Sequence, residues 1–197
     1  MEACAAAGSV RAAIVAAPPK LVGDVEAALA DAGAARDAAL PLRVVAGGES
    51  RSESVAAAVS SVETEIAVVH DAARPLVTAE LIDAVVAELV ATPECDCVLA
   101  ASRVIDTIKD ATGREVDRTL DRSRLWAAQT PQAFRTDALR RALAAAGSLA
   151  GATDDAMLVE RLGGRVRVHE APSGNLKVTT PLDLRIAALL LSERAGG

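Results

Sequence analysis

Short apolar runs, spaced by longer amphipathic stretches, govern what this chain can form. Residues 11–17, 42–46, 65–69, 96–101 and 165–169 each read as a buried strand. Between and after them, 22–32, 52–62, 78–90, 136–146, 154–162 and 181–193 carry helical patterning, much of it built on alanine, the strongest helix former. Gly33 and the pair Gly163-Gly164 stop two of these helices, Thr78 stands as an N-cap, and Pro181 occupies the first turn of the last helix. Apolar strands that alternate with helices bury both faces as a mostly parallel sheet with helices on each side. The expected architecture is therefore α/β in three layers, a single domain over residues 1–197. Ligands in such folds sit at the carboxyl ends of the strands. The polar clusters fall there: GGESR (47–51), HDAARP (70–75) and Asn175-Leu176-Lys177, with 175–178 extended. Residues 103–129 break the alternation. They are charged, turn at Gly113, and run too long for an ordinary loop. This stretch reads as an arm that packs on a partner subunit.

Composition removes several function classes. The chain is 51% hydrophobic and 24% charged over 197 residues, enough apolar surface to build a core and too little charge for a disordered state. Aromatics make up 1%, Trp126 and Phe134, so a base-stacking platform has no material. A net charge of −6 argues against a broad nucleic-acid face and leaves room for a local basic site. No apolar run reaches the ~18 residues of a membrane span, and Met1-Glu2-Ala3 lacks the basic start of a signal peptide. Three cysteines, Cys4, Cys95 and Cys97, are an odd number without a framework. They point to a reducing compartment, and the expected location is the cytoplasm. Cys95 and Cys97 read as small fillers around a strand, because His70 and His169 are the only histidines that could complete a metal site.

Residue types in the clusters suggest chemistry, each beside a plainer reading. Asp71 follows a strand, with Arg74 three residues on. The carboxylate could hold Mg²⁺ or a ligand hydroxyl and the guanidinium a phosphate, or the two could simply pair to organise the turn. Gly47-Gly48 lead into a helix whose N-terminal amides suit an anion, or form a plain turn with a serine cap. Arg122 and Arg124 could bind phosphate or belong to a solvated hairpin. Thr153-Asp154-Asp155 reads first as a helix cap with acids in its first turn. Lys177 could snorkel outward or neutralise a phosphate. His70, between a strand and a turn, reads as a packed, hydrogen-bonded histidine rather than a general base. The segment 5–11 looks like a phosphate loop but has one glycine and precedes a strand, whereas such loops follow one. A dehydrogenase is excluded by the want of G-x-G-x-x-G after a strand.

Together the segments GGESRSESV (47–55), VVHDAARPLV (68–77), DTIK (106–109), DRSRLWAAQTPQAF (121–134), TDDAMLVERLGG (153–164) and NLKVTTPLDL (175–184) resemble the 2-C-methyl-D-erythritol 4-phosphate cytidylyltransferase family of the non-mevalonate isoprenoid pathway. The resemblance implies a Rossmann-like nucleotidyltransferase fold with a protruding dimerisation arm at about 103–129, and a homodimer. It implies transfer of CMP from CTP to the polyol phosphate, with Mg²⁺ and release of pyrophosphate, and partners limited to CTP and that phosphate, with no nucleic acid and no membrane. By the same resemblance Gly48, Glu49 and Ser54 lie against the cytidine, with Ala72 lining the nucleotide site. Asp71 sits by substrate and metal. Thr107 and Arg122 come from the arm, Arg122 reaching a partner's site, to position the polyol phosphate. Thr130 and Thr153 hydrogen-bond it, and Lys177 orients the attacking phosphate. Lys177, Arg122 and Asp71 are thus the expected catalytic groups. Family members begin with a strand and a Gly-rich loop that wraps the triphosphate. This chain is expected to lack both, with apolar neighbours of that central strand left uncovered. A late start, a fragment, or a short form that no longer catalyses would each account for it. The alternatives in function are a ribitol-5-phosphate cytidylyltransferase and a truncated, non-catalytic dimerising module.

Overall fold

The computed structural model describes residues 1–31, 40–145, 153–172 and 174–195. The Gly33 stop and the expected helix ends at Ala32 and Ala146 lie outside the described residues. In chain order the elements are α1 (Glu2–Ala6), β1 (Ala13–Ala17), α2 (Val22–Asp31), β2 (Leu42–Ala46), α3 (Arg51–Val59), β3 (Ile66–Val69), α4 (Ala79–Ala91), β4 (Cys97–Arg103), β5 (Lys109–Thr112), β6 (Glu115–Thr119), β7 (Trp126–Arg135), α5 (Thr136–Ala145), α6 (Asp155–Arg161), β8 (Val166–Glu170) and α7 (Pro181–Ala195).

The layers follow from the two-residue repeat of β4. Its Cys97, Leu99 and Ala101 join Val59 of α3, Leu139 and Ala142 of α5, and Leu158 and Val159 of α6 in one core. Its Val98 and Ala100 face the other way and join Leu81, Val85 and Leu89 of α4 in a second core. Both faces of the strand are therefore buried under helices. Thr78 caps α4 by accepting the amide of Leu81, as expected, and Leu81, Val85 and Leu89 recur at four-residue spacing to form its inner stripe.

Strands β3, β7, β4 and β8 form one four-stranded sheet in that order. β4 and β8 are parallel, Cys97 opposite Val166, and β7 runs antiparallel to both β3 and β4. β3, β4 and β8 thus share one direction and deliver their carboxyl ends to one edge. β1 and β2 form a separate parallel pair, and β5 and β6 a separate antiparallel hairpin. Among the described residues β1 pairs with β2 alone and β3 with β7 alone, so each keeps one unpaired edge.

Strand β7 is the element that sequence patterning does not indicate. Gln129, Thr130, Pro131 and Gln132 interrupt its apolar character, and proline is foreign to a central strand. The register explains how it is accommodated. Gln132 lies opposite Leu99 but Ala128 opposite Ala101, so β7 carries extra residues in a bulge around Pro131, where no ladder hydrogen bond is required. The expected extended stretch 175–178 forms no strand. It is instead strapped to the 73–74 turn, Val178 N donating to Ala73 O at 2.7 Å. The loop-like segment 5–11 is also explained: Gly8 N and Ser9 N donate to the Asp83 carboxylate on α4 at 3.0 and 2.9 Å.

Candidate active site

At the carboxyl end of β3 the chain turns through His70-Asp71, and four other segments converge on that turn. Arg51 opens α3 and donates from Nε to Asp71 Oδ1 at 2.9 Å and from Nη1 to Asp155 Oδ2, at the start of α6, at 2.7 Å. Lys177 Nζ donates to Asp71 Oδ2 at 3.0 Å. Arg51, Asp71, Arg74, Thr130, Thr153 and Lys177 line one polar pocket, completed by the β7 bulge and by Asp154. Asp155 is fully buried, Asp71 keeps 14% of its side-chain surface and Lys177 44%, so the cluster grades from interior to solvent.

These pairings set the charges. Burial pushes the Asp71 carboxyl up, but the hydrogen bonds from Lys177 and Arg51 outweigh it and hold the group below the ordinary range. Asp155 moves the other way: burial, aided by Asp154 and Asp71, raises it despite Arg51. Burial lowers both His70 and Arg74. Arg51, Arg74 and Lys177 face Asp71, Asp154 and the buried Asp155 across this pocket, so its cations and carboxylates balance, and the exposed Lys177 is the cation most open to an entering phosphate oxygen.

Thr130 and His70 form a closed chain of hydrogen bonds. The Asp71 amide donates to Thr130 Oγ1 at 3.0 Å, and that hydroxyl lies 3.0 Å from His70 Nδ1. His70 Nε2 lies 3.1 Å from the Arg74 carbonyl, which only accepts, so the proton belongs on Nε2 and Thr130 donates to Nδ1. Both ring nitrogens are spent on structure. Asn175 anchors the Lys177 segment: its Nδ2 donates to Gln129 Oε1 and to Thr130 O, both at 2.8 Å, while its carbonyl accepts from Arg74 Nη1 at 2.8 Å.

The glycine turn before α3 is organised by its own helix. Ser50 and Glu53 form a reciprocal capping box, and Gly48 N donates to Ser54 Oγ at 3.2 Å. A Cβ on Gly48 would come within 2.3 Å of Glu53 Cβ, and one on Gly47 within 2.6 Å of Ser54 Oγ. Glycine is needed here first to clear these side chains.

Residues 1–193 match the family described as 2-C-methyl-D-erythritol 4-phosphate cytidylyltransferase. The chain belongs to this family. A cytidylyltransferase of that name from Symbiobacterium thermophilum is 49% identical over 158 residues, covering 78% of this chain and 65% of the relative. One from Acidobacterium capsulatum is 38% identical over 205 aligned positions, covering 99% of this chain and 82% of the relative. A solved 4-diphosphocytidyl-2C-methyl-D-erythritol synthase superposes with a TM-score of 0.78 at 32% identity, over 96% of this chain and 86% of its own. The chain spans somewhat less than two thirds of the length of the Symbiobacterium relative. The fold is the Rossmann-like α/β nucleotidyltransferase fold of these cytidylyltransferases.

Of the residues that the family resemblance singled out, Asp71, Lys177, Thr130 and Thr153 line that polar pocket together. Gly48 and Ser54 form the turn beside it and are joined to it through Arg51. Glu49 and Ala72 are exposed and stand outside the pocket lining. Thr107 and Arg122 are exposed on the hairpin region, away from that lining, with Arg122 Nη1 donating to Ile105 O at 2.6 Å. Sequence reasoning missed Arg51, Gln132 and Asp155. Arg51 did leave a signal: a cation in the first turn of a helix opposes the helix dipole, and it stays there only with acidic partners. Asp154 is the cap, accepting from Met157 N, and Asp155 is an acid of the first turn as expected, but its side chain turns inward, which the cap pattern does not indicate.

Among the described residues no group of three or more His, Cys, Asp or Glu side chains converges as a metal cage. Both Asp71 oxygens already carry a cationic partner. A Mg²⁺ here would have to bring most of its ligands as phosphates and water, and Asp71 is the residue that would supply an oxygen to it.

Proposed function

We propose that the chain transfers CMP from CTP to 2-C-methyl-D-erythritol 4-phosphate, releasing pyrophosphate. The observation that carries this reading is the Lys177–Asp71–Arg51 cluster at the carboxyl end of β3, in a chain of this family. The acceptor phosphate attacks the α-phosphorus of CTP in line, and the work is positioning and charge neutralisation. Lys177, the most exposed of the clustered cations, orients the attacking phosphate. Arg74 carries a buried Nε with no partner, which suits a second phosphate contact. Thr153 at the pocket rim offers its hydroxyl to the polyol. The turn of Gly48 and Ser54, with Glu49 beside it, takes the cytidine end, and Ala72 the nucleotide edge. Mg²⁺, held by Asp71 and the phosphates, would supply further neutralisation of the triphosphate.

The remainder of the reading is a homodimer joined by the arm, with Thr107 and Arg122 serving the partner's pocket. Its support is that both residues are exposed and flank the β5–β6 hairpin at its base, on a stretch that also exposes Ile105 at 79% and Val116 at 58%. A cytoplasmic location is supported by three free cysteines.

The test is pyrophosphate release from CTP, Mg²⁺ and methylerythritol phosphate, with ribitol 5-phosphate in parallel. Turnover with the first acceptor is expected, and Lys177→Met should lower kcat/KM by about a hundredfold or more. Preference for ribitol phosphate, or no turnover from folded protein, overturns the reading.

A further inference from the structure

Arg51 joins segments that the chain delivers separately. It stands at the first position of α3, directly after the glycine turn, and its two hydrogen bonds reach the end of β3 and the start of α6. Nothing local rewards it there, since the helix dipole repels a cation at that end. Its inner partner Asp155 has no surface, and Asp155 Oδ1 has no hydrogen-bond partner, so Arg51 is the charge on which that buried carboxylate depends. Its outer partner Asp71 is held from both sides, by Arg51 within and by Lys177 without.

The two holds on Asp71 differ in kind. Lys177 is the more exposed, has a flexible stem, and forms a single contact that an entering phosphate can compete for. Arg51 is a planar fork with each prong on a different carboxylate. When Lys177 leaves Asp71, only the Arg51 side remains fixed.

We propose that Arg51 is a positioning residue: it ties Asp71 to buried Asp155, so that Lys177 can exchange the Asp71 carboxylate for an entering phosphate while that carboxylate stays in place. The identity of the phosphate rests on the function proposed above; the linkage itself rests on the geometry.

Two measurements separate these claims. In the first, wild type, Arg51→Lys, Arg51→Gln and Asp155→Asn are compared in the CTP and methylerythritol phosphate reaction. Arg51→Gln should lower kcat by about tenfold or more, with the KM for CTP changed by less than about threefold. Arg51→Lys should fall between, because its donors share a single nitrogen and cannot span the two carboxylates as the separate Nε and Nη1 do. Asp155→Asn should also lower kcat, although it leaves the Arg51 charge intact and makes the pocket more positive. In the second, inorganic pyrophosphate without Mg²⁺ is titrated calorimetrically into wild type, Arg51→Gln, Lys177→Met and the double variant. Non-additive losses of affinity for residues 51 and 177 are expected.

The proposal is overturned by folded Arg51→Gln whose kcat stays within about twofold of wild type and whose only defect is a lower Tm, the mark of a purely structural pair. It is also overturned by additive losses in the titration, or by wild type that binds no pyrophosphate. If wild type binds pyrophosphate but turns over neither acceptor, the proposed function fails, and the additivity of the titration alone decides the role of Arg51.

Discussion

The Thr130 hydroxyl accepts the Asp71 amide and donates to His70, which leaves one lone pair for anything that enters the pocket. Thr130 is therefore a brace for the Asp71 turn as much as a ligand contact. Thr130→Val keeps the shape but strands the half-buried Asp71 amide and His70 Nδ1, and it is expected to cost about 1–3 kcal/mol in urea unfolding. Asp183 makes a second residue-level case. Its carboxylate accepts from Thr179 N at 2.9 Å and Thr180 N at 2.8 Å, while its own amide donates to Thr180 Oγ1 at 3.2 Å, a reciprocal box at the start of α7. The backbone hydrogen bond from Thr179 leads the causes that lower this carboxyl to about 2 from 3.8. A folded pKa below the unfolded one means stability that is present above pH 3.8 and lost as pH falls toward 2. Asp183→Asn should thus lower Tm at pH 7, and the difference from wild type should close as the pH approaches 2, read by circular dichroism across a pH series. Thr180 and Asp183 are visible in the sequence as a T-x-x-D pattern around Pro181, because a cap is a local event. The Thr130 chain is not, because its partners lie 59 and 60 positions away.

Among the elements, those with a clean period were legible and β7 was not. Helix α4 begins and ends within one residue of its expected limits because the Thr78 cap and the Leu81, Val85, Leu89 stripe are written in consecutive residues. Leu89 has no exposed surface while Val90 keeps 60%. Leu89→Ala should therefore cost about 2–5 kcal/mol in chemical unfolding and Val90→Ala no more than about 0.5 kcal/mol. Strand β7 holds Gln132 at 1% exposure and Thr130 at 3%, polar residues that a core strand tolerates only when partners from other elements satisfy them. The partners that meet Gln132 Nε2, the Thr130 hydroxyl and the Thr130 carbonyl, namely Asp154, His70 and Asn175, come from three separate segments, while Gln132 Oε1 has none. The bulge that admits Pro131 also aims Gln129 and Thr130 at the pocket, so the feature that hides the strand from pattern reading is the one that builds the site. The glycine turn teaches a related point. Neither Gly47 nor Gly48 adopts positive φ. Their need is space, and Gly48→Ala should displace Glu53, open the capping box, and cost about 1–3 kcal/mol in thermal or urea unfolding.

At the scale of the molecule, two parts stand apart from the central four-stranded sheet: the β1–β2 pair, joined to it through α3, and the hairpin that bears Thr107 and Arg122 nearby. If that hairpin is the dimer arm, Ile105→Asp with Val116→Asp should leave the fold intact and weaken self-association by at least about tenfold, measured by sedimentation. A wild type that sediments as a monomer at all concentrations would remove the arm from the reading. The amino-acid sequence by itself determined the layer order, most helices and strands, and the convergence of the HDAARP and NLKV segments at one sheet edge, because hydrophobic period and caps act between near neighbours. Tertiary structure alone decided the antiparallel β7, the choice between Asp154 and Asp155 for cap and interior, and the grip of Arg51 on two carboxylates. Each of these depends on which charge or polar group lies across a gap of up to 104 positions in the chain, and only the folded backbone brings such groups within hydrogen-bonding distance.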